Sequence, residues 1–397
     1  LWLVTKGRGC RNLGLSSPSH PKAGAFSLAA GWRLRFAELL LGLAALHSQI
    51  LGATSDRTFQ AAAQNGKQAQ EVYRRTHKMM MAWLAHADKR TLLLPDYLPG
   101  FRWAKGNLNL YTPHNSAADN YPYLVSTAFL TDRVLFGGRM RDMLRNEIRY
   151  TNAAHEVPGN VQLDTGKLAE MSLFGAAEYA KDGLVPITEL LGRTPWYYRM
   201  VDMTAAVMEQ STVASDFGNL PSNDAELNGD LLQVLVRLAA MSGDPRFLHW
   251  AERLGDAYVR EVLPRNHGLP ASTWDFVKHE GPDNLRLDDH GNEIIVGLVL
   301  LYALEDSLKL PRAETYRPAI TRMLDRVLES ANPDGMIYNA IRCSDLQPTD
   351  KELTDNWGYI YAAVYTLYMV TGETRYRDAV LRVLRNLSKY HGHDFEH

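Results

Sequence analysis

One pattern recurs along this chain and limits what it can fold into. Residues 234–259 and 365–387 each contain an apolar stretch, then Ser or Thr followed by Gly and an acid, then an aromatic residue in a second stretch that is apolar on one face. Weaker copies occupy residues 128–150, 187–209 and 300–328. A repeat of this length is typical of architectures that pack one supersecondary unit against copies of itself.

Each copy of the repeat predicts two helices joined by a tight turn. Glycine accepts the left-handed conformation that ends a helix, and an acid beside it can cap the next helix. The first helix of a pair is apolar on nearly all sides, as in residues 231–241 and 294–304, whereas the second carries charges on one face. The first helices are therefore expected inside the protein and the second ones outside.

The number of hairpins favours a closed ring. Five pairs are visible, and a long helical stretch around residues 60–87 supplies a further outer helix before them. Open stacking into a solenoid is the alternative. Closure is preferred because the first helices are too apolar to line an exposed concave surface. The sequence thus predicts an all-α fold, an (α/α)6 toroid of helical hairpins.

Two of the turns carry a resemblance to a known superfamily. Residues 371–373 read Thr-Gly-Glu and are followed by Tyr376, and residues 242–244 read Ser-Gly-Asp and are followed by Phe247. In this signature, and over roughly residues 56–397, the chain resembles the six-hairpin glycosidase superfamily. The resemblance implies the (α/α)6 toroid that many glycoside hydrolases, polysaccharide lyases and sugar epimerases share. It implies no single activity, and no family's catalytic residues are carried over.

The first 55 residues are predicted to be a leader. Arg33 and Arg35 precede the short apolar run 39–46, and small residues follow it, which is the layout of a secretory signal peptide. An ordinary amphipathic helix is the alternative. The apolar run is far shorter than the ~20 residues that a membrane span needs. We therefore expect an exported protein, periplasmic or extracellular, with one toroid domain over residues 56–397 and the presence of a further C-terminal segment left open.

Composition narrows the class of partner. The 43 Lys and Arg residues nearly balance the 45 Asp and Glu residues, so the net charge of -2 favours neither nucleic acid nor an anionic surface as a partner. The two cysteines, Cys10 and Cys343, support neither a disulfide framework nor a Cys-based zinc site. No phosphate-binding loop, H-E-x-x-H or G-x-S-x-G motif is found. We expect no metal and no cofactor, and the oligomeric state is left open.

Polar side chains gather just before the predicted inner helices. The segments that lead into these helices are residues 111–123, 160–170, 220–230, 284–293 and 353–361, and four of them place Asp or Glu beside Asn. In a toroid the N-terminal ends of the inner helices meet at one mouth of the ring, so these segments should lie close together. Acids and amides that bond hydroxyl groups, with flat rings that stack on sugar faces, are typical of carbohydrate recognition. The expected partner is therefore a carbohydrate.

These segments supply the candidate site residues. The candidate catalytic carboxyl groups are those of Asp119, Asp224, Glu226, Asp288, Asp289, Glu293 and Asp355. The candidate substrate-binding side chains are those of His114, Asn115, Asn120, Tyr121, Asn223, Trp274, His290, Asn292, Asn356 and Trp357. The preferred catalytic pair combines Asp224 or Glu226 with Asp288, Asp289 or Glu293, because these residues precede neighbouring hairpins.

Simpler roles compete at many of these positions. An acid or Asn directly before a helix is first of all an N-cap, and this alternative holds for Asp119, Asn223, Asp288 and Asp355. A cap uses one side chain per segment, which leaves at least one other side chain to face the mouth. A lone His290 is more often structural than catalytic. Trp274 and Trp357 are either packing residues or platforms for a sugar ring.

Paired carboxyl groups favour glycoside hydrolysis. This reaction needs one carboxylic acid to protonate the leaving oxygen and one carboxylate to activate water or attack directly. Three alternatives stay open. A polysaccharide lyase would use residues such as His114 and Tyr121, a sugar epimerase would pair His114 with His290, and a non-catalytic toroid would only bind carbohydrate.

Overall fold

The structure is a computed structural model that describes residues 31–100, 108–288 and 291–390, of which residues 31–55 are described by their backbone only. Its described part divides into two compact units, one ending at Met79 and the other beginning at Met80. Residues 1–30 lie outside the described residues, so the predicted leader stays a prediction. Asp289 and His290 also lie outside them. Within the described part, no helix combines the length and the apolar character that crossing a membrane requires.

Helices make up most of the chain. The first, α1, spans Gly31–Ala85 and crosses the division between the two units. The others are α2 (Tyr121–Thr131), α3 (Arg133–Gly137), α4 (Arg139–Thr151), α5 (Leu173–Glu178), α6 (Val185–Leu191), α7 (Pro195–Glu209), α8 (Ala225–Ser242), α9 (Pro245–Ala257), α10 (Leu263–Arg265), α11 (Glu293–Leu308), α12 (Arg312–Glu329), α13 (Trp357–Thr371) and α14 (Thr374–Asn386). π-Helical turns occupy Pro113–Ala117, Tyr179–Leu184 and Tyr258–Val262, and a 3-10 turn occupies Leu387–Lys389.

The five predicted hairpins are present, and the all-α (α/α)6 toroid is confirmed. The inner helices are α2, the continuous α5–α6, α8, α11 and α13, and each is followed by an outer helix, α4, α7, α9, α12 and α14 in turn. Gly243 and Gly372 end α8 and α13 with φ values of 70° and 75°, the left-handed conformation expected of them. Asp244 caps α9 through the N–H of Arg246. The predicted cap at α14 is wrong, because the Glu373 carboxylate bonds the side chains of Arg375 and Arg317 instead of the backbone N–H groups at the start of the helix.

Close packing between α8 and α11 builds the core of the second unit. Both helices are buried along most of their length, as their sequences predict. Gly229 lets the two backbones approach, because a Cβ atom at this position would lie only 2.2 Å from the backbone N of Ile294. Gly297 allows a similar approach to Leu232. These contacts hold the first turn of α11 against the side of α8.

Short strands join the segments that lead into the inner helices. One sheet contains β1 (Leu110–Tyr111), β2 (Asn152–Ala154), β3 (Val157–Gln162) and β4 (Lys167–Met171), with β3 paired to the other three. A second sheet has the order β5 (Leu285–Arg286), β6 (Tyr338–Ile341), β7 (Pro348–Leu353), all antiparallel. All but β2 and β6 precede an inner helix or the turn before it, so the sheets lie at the mouth of the ring.

Candidate active site

Lys181 lies at the centre of the site, where four inner helices meet. It belongs to the π-helical turn Tyr179–Leu184 between α5 and α6. A π-helical turn inserts an extra residue into a helix and so redirects its side chains, and such turns are frequent at functional sites. The ammonium of Lys181 lies 2.9 Å from Oδ1 of Asp230 on α8 and 3.6 Å from Oε1 of Glu293 at the start of α11. It lies 5.6 Å from the ring centre of Tyr359 on α13.

Two further carboxyl groups surround the same ammonium. Oδ2 of Asp182 is 3.2 Å from Nζ of Lys181, and Oε1 of Glu178 is 3.9 Å from it. The Lys181 side chain is only 10% exposed and that of Asp230 is fully buried, whereas the Asp182 side chain is 44% exposed. The cluster therefore has a buried floor and one carboxyl group that reaches solvent.

Burial and mutual repulsion keep much of the floor protonated near neutral pH. Burial raises the pKa of Glu293 to about 8, against the attraction of Lys181. It raises the pKa of Asp230 to about 7, again opposed by Lys181. Burial and then the charge of Asp230 raise the pKa of Glu178 to about 11. For Lys181, burial lowers the pKa, but Asp230 and the other negative neighbours outweigh it and the pKa is raised. One fixed positive charge thus faces several carboxyl groups that share protons.

A hydrogen-bonded chain ties the floor together across the ring. The hydroxyl of Tyr359 donates to Oε1 of Gln233 at 2.6 Å, and Nε2 of Gln233 donates to the backbone oxygen of Glu293 at 3.2 Å. Burial raises the pKa of Tyr359, so its hydroxyl keeps its proton. These bonds connect α13, α8 and α11 and restrict the positions that Glu293 can adopt.

Asp119 is the second solvent-accessible carboxyl group beside this cluster. It lies just before α2, and its side chain reaches solvent. Partial burial of the carboxyl group, followed by the negative charges of Asp182 and Asp96, raises the pKa of Asp119 to about 6. The mouth therefore presents one carboxyl group that holds its proton unusually well and another that is ion-paired to Lys181.

The segment before α2 is braced by Asp96. Its Oδ1 accepts hydrogen bonds from the backbone N and the hydroxyl of Thr112 at 3.0 and 2.7 Å and from the Ser116 hydroxyl at 2.5 Å. Asn115 donates to Oδ2 at 3.4 Å. His114 stands beside the ring of Phe174, 5.7 Å between ring centres, and burial lowers its pKa against the opposing effect of Asp96. Its imidazole is therefore neutral at neutral pH.

The predicted catalytic acids fall into different environments. Asp224 caps α8, accepting from the backbone N of Glu226 at 2.9 Å, and Asp288 bonds Arg286 at 2.7 Å. Glu226 is buried, and its negative charge contributes to the raised pKa of Glu293. Asp355 is exposed. Of the predicted acids that the structure describes, Glu293 and Asp119 thus belong to the central cluster or its edge, with Glu226 close to it.

Several predicted binding residues have structural partners instead. Trp274 is 3% exposed, and its Nε1 donates to Oε1 of Glu261 at 2.8 Å, so a role as a sugar platform does not fit its burial. The backbone oxygen of exposed Asn223 accepts from the N–H of Trp274. Asn292 is fully buried and donates to the backbone oxygens of Leu287 and Asp288, which fixes the loop that it ends.

The aromatic candidates mostly pack in the core. Tyr121 is 3% exposed and meets the Tyr179 ring edge-on, and Trp357 is 5% exposed and packs against Tyr361. Asn120 and Asn356 directly precede α2 and α13, but neither side chain caps its helix. Both are half-buried at the mouth.

Most residues at the centre of the site are not among those predicted from the sequence. Lys181, Asp182, Glu178 and Gln233 lie inside inner helices, beyond the segments that lead into them, and Asp230, the last residue of the segment 220–230, is not among the candidates above. A signal was present, because ionisable residues are rare in helices that are otherwise buried, and those that occur are paired. Tyr359, on the inner helix α13, is also absent from the candidates, and its role is visible only through its bond to Gln233.

Comparison with known proteins supports the fold. No protein-family model matches the sequence, and no curated protein matches it. Among solved structures, the cellobiose 2-epimerase from Spirochaeta thermophila DSM 6192 is similar with a TM-score of 0.54 and 13% identity, covering 81% of this chain and 85% of that one. A D-mannose isomerase is similar with a TM-score of 0.53 and 13% identity, covering 81% of this chain and 88% of that one. The cellobiose 2-epimerase from Bacillus thermoamylovorans B4167 is similar with a TM-score of 0.52 and 11% identity, covering 81% of this chain and 87% of that one. At these identities the likeness establishes the toroid and leaves activity open.

Proposed function

We propose that this chain is a carbohydrate-active enzyme, and specifically a glycoside hydrolase that uses Asp119 as its acid and Asp182 as its second carboxyl group. The observation that carries the proposal is the contrast between these two accessible groups. The pKa of Asp119 is raised to about 6, whereas the carboxyl group of Asp182 lies 3.2 Å from the ammonium of Lys181. Two carboxyl groups in such different environments are what acid and base roles require.

The roles follow from the chemistry of the glycosidic bond. Asp119 donates its proton to the leaving oxygen as the bond to the anomeric carbon breaks. Asp182 either takes a proton from the attacking water or stabilises the positive charge that develops on the sugar ring. The braced segment around Asp96 holds Asp119 in place, and Lys181 does the same for Asp182.

The buried floor has a supporting role in this proposal. Glu293, Asp230 and Glu178 are too buried to contact a substrate directly, since their side chains are between 0 and 16% exposed. They anchor Lys181 and thereby the carboxylate of Asp182. The positions of these groups match the general rule that catalytic side chains are held by a second layer of polar contacts.

The charge at the mouth favours a neutral sugar. The Lys181 ammonium is already paired with Asp182 and Asp230, and Asp119 adds a further carboxyl group at the mouth. A uronate substrate would bring a further negative charge into this environment, which is unfavourable. A polysaccharide lyase acts on uronates, so the described part of the mouth fits that alternative less well than it fits hydrolysis.

A sugar epimerase or isomerase is the second candidate, and His114 favours it. This imidazole is neutral and half-buried against Phe174 at the mouth, as a group that removes a proton from a sugar carbon must be. The similar structures named above are two epimerases and an isomerase, which adds support at the level of fold. In this case Asp119 and Asp182 would bond sugar hydroxyls.

A substrate screen with matched variants tests these candidates. The full chain is incubated with a panel of neutral oligo- and polysaccharides, and products are read as reducing ends, as ultraviolet absorbance and by chromatography of epimers. We expect reducing ends, with Asp119→Asn and Asp182→Asn each reducing the rate about 10²–10⁴-fold. Asp164→Asn, in an exposed turn between β3 and β4, is the control and should retain activity. Epimer formation that needs His114 but not Asp119 would replace hydrolysis by the second candidate, and absorbance would indicate a lyase.

We further propose that the protein is exported and that residues 1–55 are its leader. The basic residues, the short apolar run and the small residues after it support this proposal. N-terminal sequencing of the protein secreted from a suitable host tests it. A mature chain that begins near Asp56 is expected, and an intact leader on protein retained in the cell would contradict it.

A further inference from the structure

Three metal-binding side chain types meet away from the Lys181 cluster. Asp216 lies in the loop between α7 and α8, Glu261 in the π-helical turn after α9, and His279 in the loop between α10 and β5. One ligand atom from each lies within 4.8 Å of the other two. These residues are far apart in the sequence and share no spacing motif, and the expectation of no metal rested on the absence of such motifs.

Glu261 is a buried residue with one carboxylate oxygen that accepts no hydrogen bond from the described residues. The residue is 3% exposed. Its Oε1 accepts from Nε1 of Trp274 at 2.8 Å and lies 3.0 Å from Nδ1 of His279. Among the residues that the structure describes, no hydrogen bond reaches Oε2. This oxygen reaches solvent, so it is available to a ligand that enters the cluster.

The charges of the cluster are unbalanced. Asp216 is exposed and forms no ion pair within the described ranges, and Glu261 is paired only with His279. Two carboxylates thus share at most the single charge of one imidazole. A divalent cation would neutralise both carboxylates and would use Oε2 of Glu261.

We propose that Asp216, Glu261 and His279 form a site for a divalent transition-metal ion such as Zn2+ or Mn2+. Carboxylate oxygen together with imidazole nitrogen is a donor set that these ions accept, whereas Ca2+ and Mg2+ prefer oxygen alone. The ion would join the loop of residues 210–224 to the loop of residues 266–284. Both loops lead into inner helices at the mouth, and they already touch through the bridge between Asp224 and Thr273.

Metal binding to the full chain tests the site without reference to any enzymatic activity. After treatment with a chelator, titration calorimetry with Zn2+ and with Mn2+ is expected to show about one ion per chain for at least one metal. Saturating metal should raise the unfolding midpoint, since an ion that binds only the folded state stabilises it. Asp216→Asn and His279→Gln should each weaken binding by about tenfold or more.

Matched variants separate this site from adventitious binding. His267→Gln is the control for His279→Gln, because both histidines belong to the same loop and both have a φ of 59°. Asp216 is exposed, so its variant is expected to fold even if a Glu261→Gln variant does not. Absence of binding to the native chain would overturn the proposal, and so would binding by the Asp216 and His279 variants as tight as that of the native chain.

Discussion

Nζ of Lys181 lies 2.9 Å from Oδ1 of Asp230, and these two atoms join different inner helices at the centre of the ring. The Asp230 side chain is fully buried, so its charge has little other compensation. Removing one partner of a buried ion pair is costly, because the other charge is left without compensation. This contact therefore couples the stability of the toroid to the arrangement of its mouth.

Replacing Lys181 by Met should destabilise the fold by about 3 kcal/mol near pH 8, because the buried carboxyl groups would lose the cation that lies closest to them in the described part of the chain. The loss should shrink at pH 5, where Asp230 and Glu293 can take up protons, since their pKa values are about 7 and 8. Urea unfolding at both pH values measures this loss of unfolding free energy. Lys309→Met, at an 82% exposed side chain, is the control. Equal losses at both pH values would contradict the proton sharing described for the floor.

Activity should depend on the protonated form of Asp119. Its pKa of about 6 means that the acid loses its proton as pH rises through 6, so kcat/KM should decline above this value. The pKa of Asp119 can be measured in two independent ways, from the pH profile of kcat/KM on the substrate found in the screen and from a carbon-13 NMR titration of Asp119. A titration of Asp119 near its ordinary range would sink this assignment even if the chain proves to be a hydrolase.

A second pair of carboxyl groups, away from the mouth, should make stability pH-dependent. Glu305 near the end of α11 is fully buried, and burial followed by the charge of Glu252 raises its pKa to about 7. The folded state therefore holds this proton more tightly than the unfolded state, whose ordinary value is 4.5. The stabilisation is complete below pH 4.5, falls as pH rises towards 7, and is lost above it.

The Glu305→Gln variant isolates this contribution. Relative to the native chain, its unfolding free energy should improve by about 1–2 kcal/mol between pH 4.5 and pH 8. Urea unfolding across this range provides the measurement, with the exposed Glu314→Gln variant as control. A pH-independent difference between the native chain and the Glu305 variant would show that Glu305 is not the titrating group.

Gly229 should not tolerate even one methyl group. An added Cβ would lie 2.2 Å from the backbone N of Ile294, and backbone cannot move aside cheaply. We expect Gly229→Ala to cost about 3 kcal/mol and to displace Glu293 from the Lys181 cluster. Gly358→Ala is the matched control, since Gly358 also lies in an inner helix and has nothing within 4 Å of the added atom. The measurement is thermal unfolding of both variants. Similar unfolding midpoints for Gly229→Ala and Gly358→Ala would refute the close approach of α8 and α11.

The hairpins could be predicted because their signals are local. Gly243 and Gly372 are needed wherever a helix must end in the left-handed conformation, and the apolar periodicity around them assigns inner and outer helices. The same local rule is correct for Asp244 and wrong for Glu373, whose carboxylate bonds the side chains of Arg375 on its own helix and Arg317 on α12. Local preference decides a cap only when no stronger partner is within reach.

The residues of the mouth were predicted less well than the fold. Glu293 and Asp119 were among the candidates because they lie next to helix starts, and the structure places both at the central cluster or its edge. Asp224 was selected by the same rule and instead caps its own helix. A search of loop segments finds side chains near the mouth, but it does not show which of them face its centre.

The sequence by itself determined the all-α architecture and the end of the ring at which polar side chains gather, because periodicity and helix termini act over a few residues. Only the tertiary structure decided that Lys181, Asp182 and Asp230 form the centre of the site, and that Asp216, Glu261 and His279 meet away from it. These groups come from separate hairpins. Their distances, and the pKa shifts that follow from burial and from neighbouring charges, exist only once the helices have packed.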